Sequence, residues 1–289
     1  MSRIVRTISK DAAVVCSAID GTDIVAEIEK IHGTSAVVTA ALGRLALGTS
    51  LIGFGLKDKD DSVSVRINGG GPVGNMVAVS DSFGNVKAYC DEPIVEIPLK
   101  PNGKLDVSGA VGVNGTISVV KDMGLKEPYV GQTELVSGEI AEDITNYLAV
   151  SEQVPTVCAL GVLVNPDLTV KQAGGFIIQL LPFASDECID VIERNIQTMS
   201  SVTNLLEMGY SAEQIAMRAL EGLEPNVLDD FEVGYKCGCS REKTEKIIIS
   251  LGENDVKELA EDEVTEVKCH FCNKVYKFTS EEILNLVKK

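Results

Sequence analysis

The sequence predicts an α+β protein with an N-terminal β-sheet domain and packed helices over residues 1–182, a helical linker over 183–230 and a small C-terminal domain over 231–289. Apolar residues before Pro182 recur at alternate positions in several short runs, which is typical of half-buried strands. After Pro182 they recur every three or four residues, which is typical of amphipathic helices. Two close pairs of cysteines mark the last segment.

The first part of the N-terminal domain combines strands with helices. We predict strands over residues 4–8 and 13–19, followed by a helix over Asp20 to Gly33. A second helix is predicted to begin at Thr34 or Ser35. Its apolar residues lie on nearly all sides, so we expect it to be buried.

A glycine-rich turn follows the next predicted strand, Ser62 to Asn68. The run from Gly69 to Gly74 contains the spacing G-x-G-x-x-G, which suggests a dinucleotide-binding loop. That loop must open a helix, whereas the residues after Gly74 alternate like another strand. Pro72 also removes an amide donor that a pyrophosphate would need. The sequence therefore favours a hairpin turn over a phosphate site.

The rest of the N-terminal domain is predicted to contain further strands and one helix. The strands are predicted at residues 86–90, 94–99, 116–121, 156–164 and 169–181. The helix is predicted to begin within Val136 to Glu139, with Ser137 as its N-cap. The carboxylates of Glu139, Glu142 and Asp143 are interpreted as solvated charges that favour the positive end of the helix dipole.

The linker is predicted to be helical and unusually apolar. One long helix is predicted over Asp186 to Met208, and Ser211 with Gln214 forms a capping box for another over Ala212 to Leu220. The apolar residues of its second half are Leu205, Leu206, Met208, Ile215, Met217 and Leu220. They fit ordinary core packing, and they also fit a hidden binding face for varied partners, because methionine-bearing surfaces adapt to different ligands.

Four of the eight cysteines form the two close pairs, Cys237-Gly238-Cys239 and Cys269-x-x-Cys272, with 29 residues between the pairs. Two short pairs around a compact insert can supply four sulfurs to one tetrahedral Zn²⁺. Gly238 is expected to give the closer pair its backbone freedom. The pattern predicts a zinc site in a domain so small that it needs the metal to fold.

Other cysteine chemistries fit this spacing less well. Iron–sulfur clusters take their ligands from longer and looser runs, so they are the weaker metal alternative. Covalent haem attachment is excluded because Asn273, and not histidine, follows Cys272. A thioredoxin-like dithiol would use Cys269 and Cys272 and would leave the other pair without a role.

The remaining cysteines lie singly in the first two parts of the chain. Cys16, Cys90 and Cys158 fall in apolar predicted strands, so we expect them to be inert core residues. Cys188 lies near the start of a predicted helix, where a thiol is expected to be more reactive.

Composition restricts the classes of partner. The chain has 43 acidic and 26 basic residues, a net charge of −17, which disfavours nucleic acid because phosphate contacts need clustered Lys and Arg. The segment from Glu232 to Lys289 is also slightly acidic. No apolar run reaches the roughly 20 residues of a transmembrane helix, and the first residues lack a secretory signal. We therefore expect a cytoplasmic protein without nucleic-acid or membrane partners, in which cysteines stay reduced or bind metal.

These residues together resemble the 33 kDa chaperonin family, the redox-regulated heat-shock chaperones of bacteria, over essentially the whole chain. The most specific matches are Cys237-x-Cys239-Ser240, Cys269-x-x-Cys272 and Tyr276-x-Phe278. Further matching segments are Gly33-Thr-Ser, Ala41-Leu-Gly-Arg44, the Gly69 to Gly74 turn, Val136-Ser-Gly-Glu139, Ser151-Glu-Gln-Val-Pro155 and Ala173-Gly-Gly-Phe176.

The resemblance implies an ATP-independent holdase, not an enzyme, that is inactive when reduced and zinc-bound. Oxidation is implied to release the zinc and to form two disulfides, Cys237–Cys239 and Cys269–Cys272. The implied partners are unfolded or partly unfolded client proteins, and a homodimer is a candidate state of the oxidised chain. The candidate client-binding residues lie in the linker and are Met208, Ile215 and Leu220.

Two functions of other classes stay open on the sequence. A thiol-disulfide oxidoreductase would use Cys269 and Cys272 and would turn over disulfide substrates, whereas a holdase acts stoichiometrically. A constitutive zinc-stabilised interaction module would bind its partners regardless of oxidant.

Overall fold

The computed structural model describes residues 1–182 and 184–287 and divides the chain into two compact units, Met1–Lys236 and Cys237–Lys289. The strands of the first unit are β1 (Arg3–Ile8), β2 (Val14–Asp20), β3 (Ser62–Asn68), β4 (Met76–Asp81), β5 (Val86–Cys90), β6 (Thr116–Asp122), β7 (Tyr129–Glu134), β8 (Thr156–Val164), β9 (Val170–Leu180) and β10 (Asn226–Glu232). Its helices are α1 (Thr22–His32), α2 (Ala36–Gly53), α3 (Val107–Val111), α4 (Ala141–Val150), α5 (Asp186–Thr198), α6 (Val202–Glu207) and α7 (Ala212–Ala219). The second unit contains α8 (Arg241–Ser250), α9 (Glu253–Leu259), β11 (Val264–Lys268), β12 (Val275–Thr279) and α10 (Ser280–Val287).

The strands of the first unit form two five-stranded antiparallel sheets. Their orders are β10-β1-β2-β9-β8 and β5-β4-β3-β6-β7. Strands β3 and β4 are joined through the Gly69 to Gly74 segment, and no helix opens there. The α+β class and the hairpin interpretation of the glycine-rich run are therefore confirmed.

Helix α2 is the centre of the first unit and packs against strands of both sheets. It is long and apolar enough to cross a membrane by length and composition, but 89% of it is buried inside the protein, as a core helix would be. Gly43 and Gly48 allow the close approach of its neighbours. A Cβ on Gly43 would lie 2.7 Å from a Val25 methyl, and one on Gly48 would lie 2.4 Å from Ile144. The predicted burial of this helix is confirmed.

The predicted strand over residues 94–99 is wrong. Those residues have no regular secondary structure. Ser35 holds the segment instead, because its hydroxyl accepts from the Val95 amide at 3.1 Å and donates to the Val95 carbonyl at 2.9 Å. The Ser35 side chain thus makes the hydrogen bonds to the Val95 backbone that a partner strand would make in a sheet.

The helix predicted to begin near Ser137 starts later, at Ala141, and Asp143 is not a solvated charge. Its side chain is fully buried. Its carboxylate accepts backbone N–H groups from the preceding turn, namely those of Val136 (2.8 Å), Ser137 (3.0 Å), Gly138 (3.3 Å) and Ile140 (2.8 Å). The carboxylate therefore shapes the turn itself and holds Ile140 at a φ of 74°, in the left-handed region.

We expect Asp143→Ala to lower the free energy of unfolding of the first unit by about 3 kcal/mol, because buried N–H groups lose a charged acceptor. Chemical denaturation followed by circular dichroism measures this loss. The control is Glu142→Ala, an exposed carboxylate on the same turn, which should change the free energy by less than about 0.5 kcal/mol. Equal effects of the two substitutions would show that the buried carboxylate has no special role.

The single long helix predicted over Asp186 to Met208 is wrong in one respect, because the chain breaks into α5 and α6. Met199 leaves helical geometry with a ψ of 134°. Ser201 then caps α6 by accepting a hydrogen bond from the Asn204 amide at 3.3 Å. Serine competes for backbone donors in this way at helix starts, and the apolar periodicity does not reveal it. Helix α7 and its Ser211–Gln214 capping box are as predicted.

Helices α6 and α7 pack on the first sheet, and β10 extends that sheet as an edge strand beside β1. The sequence did not predict β10, whose side chains are almost all exposed. It is held to β1 by backbone pairing and by ion pairs, among them Arg3 Nε to Asp230 Oδ1 at 2.7 Å. The first compact unit therefore extends to Lys236, beyond the predicted linker. Separate behaviour of residues 183–230 as a linker stays a prediction.

Candidate metal centre

The first cysteine pair lies at the start of α8 in the second unit. Ser240 caps this helix by accepting a hydrogen bond from the Lys243 amide at 3.3 Å. The Lys243 ammonium also donates to the Gly238 carbonyl at 2.7 Å. The two contacts fix the backbone of the pair against the first turn of the helix, so both thiols have a defined direction.

The expectation about Gly238 is not met. Its φ lies outside the positive range that favours glycine, and an added Cβ would meet nothing closer than the Lys243 ammonium at 3.5 Å. The unusual backbone lies at the other pair, where Asn273 has a φ of 59°. Asparagine tolerates this left-handed conformation better than most residues.

The second cysteine pair occupies the turn between β11 and β12. The Cys269 amide donates to the Lys274 carbonyl at 2.9 Å, and the Asn273 amide donates to the Cys269 carbonyl at 2.9 Å. These two bonds close the turn tightly. The hairpin register, with Val267 opposite Tyr276, then places the Cys269 and Cys272 thiols beside the first pair.

The four sulfurs of Cys237, Cys239, Cys269 and Cys272 all lie within 4.8 Å of one another. The Cys237 and Cys269 sulfurs are 3.7 Å apart, and the Cys239 and Cys272 sulfurs are 3.4 Å apart. Tetrahedral coordination with Zn–S bonds of about 2.3 Å puts sulfurs about 3.8 Å apart. The residues present therefore fit one tetrahedral ion, and the structure brings together all four cysteines that the spacing predicted as ligands.

The surroundings of the clustered thiols shift their pKa values in different directions. Burial raises the pKa of Cys237 and raises that of Cys272 to about 12. Burial also acts on Cys239, but hydrogen bonds from Tyr276 and from the other thiols outweigh it and lower the pKa of Cys239 to about 7. Without a cation, the Cys239 thiolate thus accepts hydrogen bonds from neighbouring thiols, whereas four adjacent thiolates would repel each other. Thiolate ligands of this kind suit zinc or iron–sulfur clusters.

The sequence interpretation assigned no role to Tyr276, yet its hydroxyl lies 3.2 Å from the Cys239 sulfur. Tyr276 and Phe278 alternate with exposed neighbours along β12, so both side chains point inward. That alternation, four residues after Cys272, is the signal that could have shown the contact.

The core of the second unit is small and adjoins the cysteines. Its buried side chains are Ile248, Val256, Tyr276, Phe278 and Ile283, and Cys239 packs against them. Arg241, at the start of α8, contacts two other elements of the unit. Its guanidinium lies 4.3 Å from the centre of the Phe278 ring on β12 and 2.7 Å from Glu282 Oε1 on α10. So few apolar side chains give little folding free energy, which is why a metal would matter to stability here.

The cysteines outside the cluster are free thiols in this structure. Burial raises the pKa of Cys16 and of Cys158, and it raises that of Cys90 to about 12. Cys16 is a buried core residue as expected, whereas Cys90 and Cys158 are half-buried and pack against the core. Cys188 is only 6% exposed, and its sulfur lies 3.6 Å from Asp11 Oδ2. This burial limits the access of reagents to Cys188.

The candidate client-binding residues do not share one surface. Ile215 and Leu220 are fully buried in the cluster beneath the first sheet, whereas Met208 is 67% exposed. The two buried side chains therefore serve as core in this structure. Any binding role for them requires that the helices separate from the sheet.

Comparison with known proteins connects these two units to a family. The family model described as Hsp33 protein matches residues 2–279, which include both sheets and all four clustered cysteines. The chain belongs to the Hsp33 family. Among its relatives, the 33 kDa chaperonin of Lachnoclostridium phytofermentans is 46% identical over 98% of this chain and 97% of that protein. The 33 kDa chaperonin of Clostridioides difficile is 48% identical over 92% of this chain and 91% of that protein.

The fold agrees with a solved Hsp33 structure. The crystal structure of the 33 kDa chaperonin of Thermotoga maritima superposes with a TM-score of 0.90 at 36% identity, covering 99% of this chain and 97% of that one. The resemblance noted from the sequence is confirmed, and the chain is a heat-shock chaperone of the Hsp33 family with four cysteines placed to hold a metal ion.

Proposed function

We propose that this chaperone is a redox-regulated, ATP-independent holdase, and that Cys237, Cys239, Cys269 and Cys272 bind Zn²⁺ in its inactive, reduced form. The observation that carries the proposal is the group of four sulfurs within 4.8 Å of one another. A bound Zn²⁺ would keep the four sulfurs as thiolates and would join the start of α8 to the β11–β12 turn. The small core beside them supports a metal that is required for folding.

The oxidation step converts each cysteine pair from two thiols to one disulfide. A thiolate attacks one oxygen of hydrogen peroxide, which breaks the O–O bond and yields a sulfenic acid and hydroxide, and the hydroxide takes a proton from solvent to become water. The second thiol of the pair then displaces the hydroxyl as water, so each pair gives up two electrons and each peroxide becomes two waters. We propose Cys237–Cys239 and Cys269–Cys272 as the pairings, as the family resemblance implies, with loss of the metal because a disulfide no longer offers thiolate ligands.

Loss of the metal would remove the main source of stability of residues 237–289. We propose that the preceding helices α5 to α7 then become partly disordered and that their apolar side chains hold unfolding clients. The support for this step is that Ile215 lies in the eight-residue helix α7 and Leu220 at its C-cap, and that both apolar side chains are fully buried. A helix this short depends on tertiary packing rather than on its own propensity, so it unfolds once that packing is lost.

The partners that we propose are unfolded or partly unfolded proteins in the cytoplasm, with neither nucleic acid nor a membrane. The net charge of −17 supports this choice, because an acidic chain repels phosphate. A homodimer of the oxidised chain is part of the same proposal. Light scattering of the reduced and oxidised protein measures it.

The test is suppression of thermal aggregation of a model client by the zinc-loaded chain before and after treatment with peroxide under mild heating. We expect no suppression before treatment and stoichiometric suppression after it, with about one zinc released per chain. Cys90→Ser, outside the cluster, is the matched control and should behave like the unaltered chain. Suppression that does not depend on oxidant would favour a constitutive interaction module, and catalytic reduction of insulin would favour an oxidoreductase.

A further inference from the structure

We propose that Tyr276 is a positioning residue of the metal centre, whose hydroxyl donates a hydrogen bond to the Cys239 thiolate and thereby increases the affinity of the site for its metal. This inference rests on the proposed function, because it takes the four cysteines as metal ligands. The oxygen-to-sulfur distance is 3.2 Å. Residues that hydrogen-bond to ligand atoms orient those atoms and tune the metal.

The position of the Tyr276 ring is well defined. Tyr276 is 7% exposed and packs in the small core of the second unit with Phe278. The Lys274 ammonium lies 5.1 Å from the centre of the ring. The ring is thus held between the core and a cation, so the direction of the hydroxyl does not depend on the sulfur alone.

The contact also joins the two halves of the site. Tyr276 lies on β12, four residues after Cys272, whereas Cys239 lies at the start of α8, 37 positions earlier in the chain. The hairpin that supplies two ligands therefore also supplies a donor to a ligand of the other pair. A thiolate bound to a metal keeps lone pairs that can accept such a donor, and the bond disperses the negative charge that four thiolates bring together.

The experiment compares Tyr276→Phe with the unaltered chain under reductant. The substitution keeps the ring in the core and removes only the hydroxyl. We measure zinc affinity by competition with a chromophoric chelator, and we record the sulfur-to-cobalt charge-transfer band after loading with Co²⁺. Tyr235→Phe is the matched control, because its hydroxyl donates to the Ala88 carbonyl in the other unit.

We expect Tyr276→Phe to lower zinc affinity by about 10- to 100-fold, as for other residues that contact metal ligands. We also expect the cobalt band to move to longer wavelength, because a sulfur without the hydrogen bond gives up charge to the metal more readily. Tyr235→Phe should change neither quantity. A purely structural role would lower the affinity without moving the band.

Three results would overturn the inference. Equal affinity and an unmoved band in Tyr276→Phe would show that the hydroxyl does not act on the centre. A fall in affinity with an unmoved band, or an equal fall in Tyr235→Phe, would show a general loss of stability. Failure of the unaltered chain to bind zinc or cobalt would instead overturn the proposed function, and this inference with it, so the two failures are distinguishable.

Discussion

The Cys237→Ser and Cys269→Ser variants should each lose the metal and leave residues 237–289 unfolded, while the residues before Pro182 stay folded. Each removes one of the four proposed ligands, whose sulfurs lie within 4.8 Å of one another. Structural zinc sites contribute about 10 to 16 kcal/mol of binding free energy, which is far more than the small apolar core described for the second unit supplies. This is the largest effect that we expect from any single substitution.

Amide hydrogen exchange measures the result segment by segment. Amides of α8 and of the β11–β12 hairpin should exchange rapidly in both variants, whereas those of β2 and β9 should stay protected. Removal of zinc from the unaltered chain with a chelator should reproduce the pattern. The control is Cys90→Ser, which keeps all four ligands. Persistent protection of α8 in either ligand variant would show that the metal does not hold the second unit together.

Replacing Ile215 and Leu220 together with Ser should have the second largest effect, because it should lower both the stability of the reduced chain and the client binding of the oxidised chain. Both side chains are fully buried against β1 and β2, so each replacement should cost the reduced chain about 2 to 5 kcal/mol. The oxidised chain should suppress aggregation less well, because apolar area available to clients is lost at about 25 cal/mol per Å².

Met208→Ser is the matched control for this pair, because Met208 is 67% exposed in the same segment. It should change the free energy of unfolding by less than about 0.5 kcal/mol. Urea denaturation of the reduced chain and aggregation assays of the oxidised chain provide the two measurements. Unchanged oxidised activity in a variant that carries all three replacements would place the client site elsewhere, most simply on the N-terminal β-sheet domain, and the redox switch would survive that result.

The cluster of four cysteines could be predicted from the sequence because the two members of each pair are close together in the chain. One residue separates Cys237 from Cys239, and two residues separate Cys269 from Cys272. A single short turn therefore directs both thiols of each pair. Metal geometry then requires the two turns to meet, whatever the insert between them does. Most strands of the first unit, though not β7 or β10, were predictable for a similar reason, since burial on one face of a sheet imposes alternation on each strand separately.

The wrong or absent predictions concern residues that pair with distant parts of the chain, and side chains that bond to backbone groups in place of regular secondary structure. The side chains of β10 are almost all exposed, so no buried face imposes an alternating pattern on its residues. Only its pairing with β1 makes it a strand. Asp143 looks like an exposed carboxylate at a helix start, and only the folded turn reveals that it accepts hydrogen bonds from that turn's backbone.

Periodicity and spacing were enough to predict the α+β class, the burial of α2 and the grouping of the four cysteines, because these patterns act within a few residues of the chain. The family was indicated by motifs that match along the whole sequence. Only the folded structure shows that the first unit extends to Lys236. It also shows that Ile215 and Leu220 are buried in the core while Met208 is exposed. The contact between the Tyr276 hydroxyl and the Cys239 sulfur likewise appears only in the folded chain. Each of these depends on a contact between segments far apart in the chain, and no local pattern specifies which segments will meet.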